Sequence, residues 1–299
     1  MKTLVFAGLL CLIAFAVSED DDQTMALKYL NQFHYISPAR SGNHNVKTAL
    51  EKFQSFAGLP VTGEIDAATI AQMKMPRCGM PDVDDDGLRI RRYKLGSKWN
   101  KKHLTYHISH GQDLSSSVQD RVFAKALDYW ARVSGLTFSR TMDGENADLK
   151  ISFGPKSHGG THDPEGTCSY PFDGPGGVLA HAFFPRNGRA HFDEDEDFTD
   201  GTYEGTNLLW VATHEFGHSL GLHHSDVRDA VMYPYYTGYK PGFDLKADDI
   251  AGIRAHYGDE NSGGSQPCVD NNQSCPDWTI YCTNNEYVIA NCRKSCGSC

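Results

Sequence analysis

The chain has 299 residues, enough for about two average domains, with 39% hydrophobic and 22% charged residues, which is ordinary for a globular protein. Its formal net charge of -10 excludes a nucleic-acid binder of the usual kind, since neutralising phosphates needs an excess of Lys and Arg. In chain order, Lys2 followed by an apolar run over 4–17 and the small-x-small end Ala16-Val17-Ser18 reads as a secretory signal over 1–18. That run is short of the ~20 residues of a membrane span, and no other stretch offers a transmembrane anchor. Residues 23–75 predict three helices, with apolar faces at Leu27, Tyr29 and Leu30, at Leu50, Phe53 and Phe56, and over 65–73. Residues 77–92, rich in Asp and Arg without periodicity, read as a linker.

Alternation at Leu104, Tyr106 and Ile108, and again at Leu149, Ile151 and Phe153, predicts two strands. Between them Val118, Val122, Ala126, Trp130 and Val133 predict a helix behind capping serines at 115–117. A Gly-, Asp- and His-rich stretch over 154–205 contains one strand-like piece at 178–184. Helices are predicted at 206–222 and 247–257, and a Gly/Ser/Asn linker at 259–267. Nine cysteines are present. Cys11 belongs to the signal, Cys78 and Cys168 stand alone, and the other six crowd into 268–299. In a secreted chain such density means a disulfide scaffold.

The chemistry is concentrated in the run from His214 to His224. His214 and His218 are four apart, so a helix stacks both imidazoles on one face. Gly221 can take a positive φ, end the helix and bring His224 round as a third zinc ligand. A catalytic zinc site keeps its fourth position for water, and Glu215 beside it is placed to serve as general base for peptide hydrolysis by zinc-activated water. A third ligand after a glycine is the long metzincin form of this signature, and Met232 in Ala230-Val231-Met232-Tyr233-Pro234 fits the Met turn that form requires.

Three further segments carry a family resemblance. Pro76-Arg77-Cys78-Gly79-Met80-Pro81-Asp82 resembles the cysteine switch of matrix metalloproteinase propeptides. The stretch 208–236 resembles that family's active-site helix and Met turn, and Asp248-Asp249-Ile250-Ala251-Gly252-Ile253 resembles its last helix. The resemblance implies an α+β fold. A three-helix, peptidoglycan-binding-like prodomain within a propeptide at 19–92 would precede a metzincin catalytic domain at 93–258. That domain would have a twisted, mostly parallel five-stranded sheet and three helices.

The resemblance also implies a secreted zymogen, with Cys78 on the catalytic zinc as thiolate and Arg77 paired to Asp82 to hold the switch. Arg89-Ile90-Arg91-Arg92 fits recognition by a furin-like convertase, which would leave Tyr93 as the mature N-terminus. The family's second, structural zinc would use His158, His181 and His191. Here the family's His-Gly-Asp is replaced by His158-Gly159-Gly160, so Asp163 is the expected fourth ligand, with His162 and Cys168 as rivals. Asp173, Gly174, Gly176, Asp193 and Glu196 would hold calcium. Asp148 is the candidate for a second calcium site, against which Arg189 stands in place of the family's Asp.

Trp210, one turn before His214, takes the position that floors the family's S1′ pocket. With Pro234 and Tyr236 it would bind substrate, favouring small or medium aliphatic P1′ residues. The cysteines of 268–299 resemble the ShKT domain, which implies pairs Cys268–Cys299, Cys275–Cys292 and Cys282–Cys296. Glu286-Tyr287 stands where channel-blocking members carry Lys-Tyr, and a carboxylate cannot plug a cation pore. The expected partners are extracellular protein substrates, the convertase and protein inhibitors, and the expected state is a monomer in the extracellular space or matrix. Without the family's usual haemopexin-like propeller, cleavage of triple-helical collagen is not expected.

Overall fold

The computed structural model describes residues 21–36, 45–83, 95–158 and 168–258, and within the C-terminal segment 275–276, 279, 282 and 294–296. The signal segment, the basic run Arg89-Ile90-Arg91-Arg92, Tyr93, and His162 and Asp163 lie outside the described residues. The chain divides into two compact units, Met1–Tyr257 and Gly258–Cys299.

The first unit opens with helix α1 (21–32), α2 (Val46–Phe56) and α3 (Ala67–Met73). Asn45 and Asp66 cap α2 and α3 by accepting the amides of Thr48 and Thr69, each satisfying a donor that a helix start leaves open. Because Asp66 is the cap, Ile65 falls before α3 and not within it. Leu30, Phe33, Leu50, Phe53, Phe56, Ile70 and Met73 form a common core. Tyr233, Tyr235 and Val178 from beyond the propeptide join that core, so the helical bundle does not close on itself.

The main sheet has six strands in the order β1-β5-β6-β4-β2-β3. They are β1 (Arg77–Cys78), β2 (His103–Ile108), β3 (Thr137–Arg140), β4 (Leu149–Gly154), β5 (Val178–Ala182) and β6 (Arg189–Asp193). Strands β2 to β6 are the five expected of the metzincin domain, and the sixth comes from the segment before it. All neighbours run parallel except β5 and β6, which are antiparallel. A separate two-stranded sheet pairs β7 (Phe198–Thr199) with β8 (Thr206–Asn207). Helix α4 (Ser116–Ser134) and α5 (Leu208–Ser219) pack on the main sheet through Phe123, Ala126, Trp130, Phe216 and Phe192. Ser115 holds the N-cap position of α4 without a side-chain capping bond, its hydroxyl pairing with Ser117 at 3.2 Å instead.

Helix α5 is shorter than the predicted 206–222. Thr206 and Asn207 join β8, and the Asn207 side chain caps the Trp210 amide at 3.0 Å. At the far end Gly221 takes φ +100. A Cβ there would lie 2.2 Å from Ser97 O, so only glycine turns the chain at this point. Helix α6 (Ala247–Tyr257) closes the unit.

In the second unit Cys282 and Cys296 form a disulfide with their Cα atoms 5.4 Å apart, and Cys275 is buried and disulfide-bonded. The remaining expected pairings fall on residues outside the described ones. Among the described residues no helix is long and apolar enough to cross a membrane.

Candidate metal centres and cleft

Helix α5 stacks His214 and His218 with ring centroids 4.9 Å apart, and the turn at Gly221 brings the His224 ring to 4.7 Å from His218. Each ring is held by its Nδ1. His214 donates to Val231 O and His218 to Leu222 O, both at 2.6 Å, while His224 Nδ1 meets Asp82 Oδ1 at 2.8 Å. A carbonyl oxygen only accepts, so the proton sits on Nδ1 and the Nε2 lone pairs of His214 and His218 are free for a metal. Burial drives the pKa of His214 down to about 3, and those of His218 and His224 also downward, which keeps all three imidazoles neutral.

The Nε2 atoms of His214 and His224 and Oε2 of Glu215 are buried without a hydrogen-bond partner. Unpartnered buried polar atoms are costly, and a cation would satisfy the two ring nitrogens, with a water on it as the partner for Glu215. With Cys78 Sγ 3.5 Å from His218 Nε2, the four side chains place their donor atoms within 4.8 Å of one another. Three imidazoles and a thiol are zinc donors, so the residues fit the ion that the sequence implies. Burial, partly offset by a hydrogen bond with Cys78, pushes the Glu215 carboxyl up to about 8. A dication held by the neighbouring rings would pull it back towards the carboxylate.

Beneath the rings, Met232 packs against the helix at Gly217, where a Cβ would come within 2.2 Å of the Met232 Sδ. Sequence reasoning missed what anchors this turn. Asp249, at the start of α6 and 1% exposed, accepts the amides of Val231 at 2.9 Å, Met232 at 3.0 Å and Lys246 at 2.8 Å. Val231 in turn orients His214, so Asp249 positions a metal-site ring without touching it. The only sequence signal was an acidic pair opening a helix, which does not reveal that one member is buried.

The switch segment lies as a strand between β5 and the chain after the Met turn. Arg77 N donates to Gly177 O at 3.0 Å and Gly79 N to Ala180 O at 2.8 Å on one side. On the other, Cys78 N donates to Pro234 O and Tyr236 N to Pro76 O, both at 2.9 Å. Arg77 and Asp82 form a buried two-pronged ion pair at 2.6 and 2.9 Å. Phe33 covers the guanidinium at 3.6 Å, Tyr35 donates to Asp82 at 2.8 Å, and Arg77 also reaches Tyr29. Burial alone would raise the Asp82 carboxyl, but Arg77 and the bond from His224 together hold it well below the usual carboxylate range. Trp210 is buried, stacks on His214 at 5.5 Å and meets Tyr236 edge-on at 5.3 Å. A cavity of about 30 Å³ beside it is lined by Tyr235, Thr237 and Phe243.

A second cluster forms where β5 and β6 pair His181 with His191. The structure brings His158 and Cys168 to these two rings, while Asp163 lies outside the described residues. Nearby, Asp193 is buried with one carboxylate oxygen unpartnered, and burial together with Asp195 and Asp173 pushes it up to about 6. Asp173 accepts the Val178 amide and Glu196 the Gly176 amide, in a loop turned by Gly174 and Gly176 at positive φ. Crowded carboxylates of this kind suit a hard dication. Asp148 is not brought to such a group. Lys101 lies 2.7 Å from one oxygen and Thr105 donates to the other, and Arg189 lays its guanidinium over Phe183 nearby. Asp148, the candidate for a second calcium site, thus pairs with Lys101.

The family model for Matrixin matches residues 98–258. The chain belongs to the matrixin family. In this matrixin, residues 20–73 also match a peptidoglycan binding domain model, and 267–299 match an ShK domain-like model. It is 44% identical over 243 residues to the hatching enzyme of Paracentrotus lividus, aligning 79% of this chain with 39% of that one. Matrix metalloproteinase-19 of Homo sapiens is 43% identical over 236 residues, which are 77% of this chain and 44% of that one. Matrilysin of Homo sapiens is 42% identical over 238 residues, 78% of this chain and 84% of that one. The matrixin thus spans less than half the length of the first two and most of the third.

Proposed function

We propose that this matrixin is a secreted zinc endopeptidase held latent by its own propeptide. The observation that carries the reading is the convergence of three neutral imidazoles and Glu215 at a cleft already filled by an extended strand of the same chain. Zinc bound by His214, His218 and His224 would supply Lewis acidity towards a peptide carbonyl and an attacking water. Glu215 accepts the proton of that water and passes it to the leaving amine. Strand β5 and residues 234–236 hold the substrate backbone as they hold the switch, by adding it to a sheet edge. Cys78 supplies a thiolate to the same zinc in the zymogen and excludes water, while Arg77 and Asp82 fix the strand.

The test is gelatin hydrolysis by protein trimmed at Tyr93. A chelator should abolish it and zinc restore it; hydrolysis indifferent to chelation would end the proposal. The signal at 1–18 supports secretion, and Arg89-Ile90-Arg91-Arg92 supports trimming by a furin-like convertase. Replacing Arg92 with Ala should then leave the secreted protein long, and trimming at Tyr93 in that variant would exclude the convertase.

Calcium at Asp173, Asp193 and Glu196 would steady the loop before β5. The indole of Trp210 beside the small cavity supports a shallow S1′ pocket. Peptides with Leu or Ala at P1′ should outpace those with extended aromatic P1′ groups, and the reverse order would exclude Trp210 as the pocket floor. Extracellular proteins are the substrate class, protein inhibitors the expected regulators, and the ShK-like module a docking element for matrix or substrate.

A further inference from the structure

We propose that the second cluster is a three-imidazole, one-thiolate zinc site whose fourth ligand is Cys168. This goes beyond the protease reading and shares with it only the premise that the chain binds zinc.

The argument starts from distances. His158 Nε2 lies 3.4 Å from His181 Nε2 and 3.1 Å from His191 Nδ1, and the latter two are 3.1 Å apart. Cys168 Sγ is 3.3 Å from His181 Nε2, and all four donor atoms fall within 4.8 Å of one another. Zinc–nitrogen bonds of ~2.0–2.1 Å in a tetrahedron separate the ligand nitrogens by roughly 3.3 Å. The cluster already has that spacing.

Protons do not account for it as well. His158 Nδ1 faces Pro155 O at 3.1 Å, so its proton lies there and its Nε2 offers a lone pair to the centre. His181 turns its Nε2, and His191 its Nδ1, to the same centre. A cation at the centre is the partner common to all three rings.

The backbone brings the thiol in. Cys168 N donates to His158 O at 2.6 Å, which sets the two residues side by side. Register on β5 and β6 supplies the other two. The surroundings are apolar and aromatic. Phe172 stacks on His158 at 4.3 Å, and Phe183 and Tyr170 flank His181. Cys168 is a buried free cysteine, whereas the described C-terminal cysteines, Cys275, Cys282 and Cys296, are disulfide-bonded. A thiolate brings the same single negative charge as the carboxylate expected at Asp163, but it is a softer donor that favours zinc over calcium or magnesium. The thiolate forms by loss of the Cys168 proton to solvent as the metal enters, with no oxidant or reductant involved.

The test uses the full chain in a Glu215→Ala background, stripped and reloaded with cobalt(II). Bound metal is counted, and the near-ultraviolet thiolate-to-cobalt charge-transfer band is read. The unmodified zymogen should hold two cobalt ions and show a band from two thiolates, Cys78 and Cys168. Cys168→Ser should halve the band, Cys78→Ser should remove the other half, and the double variant should show none. Cys168→Asp keeps an anionic ligand, and should retain two ions with half the band even if the serine variant folds poorly. Asp163→Ala should change neither reading. A full-strength band in Cys168→Ser and Cys168→Asp, or loss of one ion in Asp163→Ala alone, would overturn the assignment. No peptide hydrolysis is read, so a chain that proved inert as a protease could still show the Cys168-dependent band.

Discussion

Glu215→Ala, in protein trimmed at Tyr93, should leave a folded chain that keeps its zinc and hydrolyses peptides about 10²–10⁴-fold more slowly, the range that a positioned general acid–base contributes. The metal is retained because Glu215 is not a ligand. His214 and His218 are oriented by Val231 O and Leu222 O, neither of which involves its carboxylate. The rate falls because Oε2 of Glu215 is buried beside the rings with nothing else to serve. Alanine can neither take the proton from water nor return it to the amine. The loss should appear in kcat, since the carboxylate acts on the reacting atoms and leaves strand β5 and residues 234–236 to bind substrate as before. Metal content and kcat are the measurements. A kcat within a few-fold of the parent, with zinc in place, would exclude Glu215 as the base.

Much of this site was legible because its residues are close in sequence or fixed by a period. Two histidines four apart need only a helix to converge, and one glycine predicts the turn that adds the third. The amphipathic helices were equally plain, since apolar residues repeat along α2 and α4. What could not be read depends on contacts between distant segments. Strand β1 is two residues long and exists only because β5 offers an edge, so no local pattern announces it. Strands β3 and β6 were missed for a related reason. β3 is four residues long with no fully buried position, and β6 is buried throughout, so neither alternates. The Asp82 contact to His224 spans 142 positions and links a propeptide carboxylate to a ring of the metal site. Asp249 acts through Val231, a backbone carbonyl whose neighbours no sequence displays. Cys168 competed with Asp163 because a loop can deliver either, and the position of its thiol 3.3 Å from His181 Nε2, with its amide on His158 O, is a contact that no sequence displays.

The Asp82 contact leads to the second large effect. Asp82→Ala in an untrimmed chain, kept so by Arg92→Ala, should convert a latent protein into one that cleaves peptides with its propeptide still attached. Asp82 balances a guanidinium that is 2% exposed, and its oxygens also serve Tyr35 and His224. Removing one partner of a buried pair leaves the other charge unpaired, which costs about 3–5 kcal/mol. The propeptide can relieve that cost by lifting Arg77 into water, and lifting Arg77 carries the adjacent Cys78 off the metal. At ~1.4 kcal/mol per tenfold, the ratio of latched to open chain should fall by roughly 10²–10³. The helices stay docked through the core they share with Tyr233 and Tyr235, so the opening is a local lifting of the switch. Two readings follow the change together: peptide cleavage by the uncleaved chain, and reaction of Cys78 with a thiol reagent, with Cys168→Ser in all samples so that a single free thiol is counted. Asp82→Asn, which can still accept from His224 but does not balance Arg77, should fall between parent and alanine variant. If the alanine variant stays silent and its Cys78 unreactive while the chain remains folded, the ion pair does not hold the switch. The bonds of β1 to Gly177, Ala180 and Pro234, with the core shared with Tyr233 and Tyr235, would then have to carry latency.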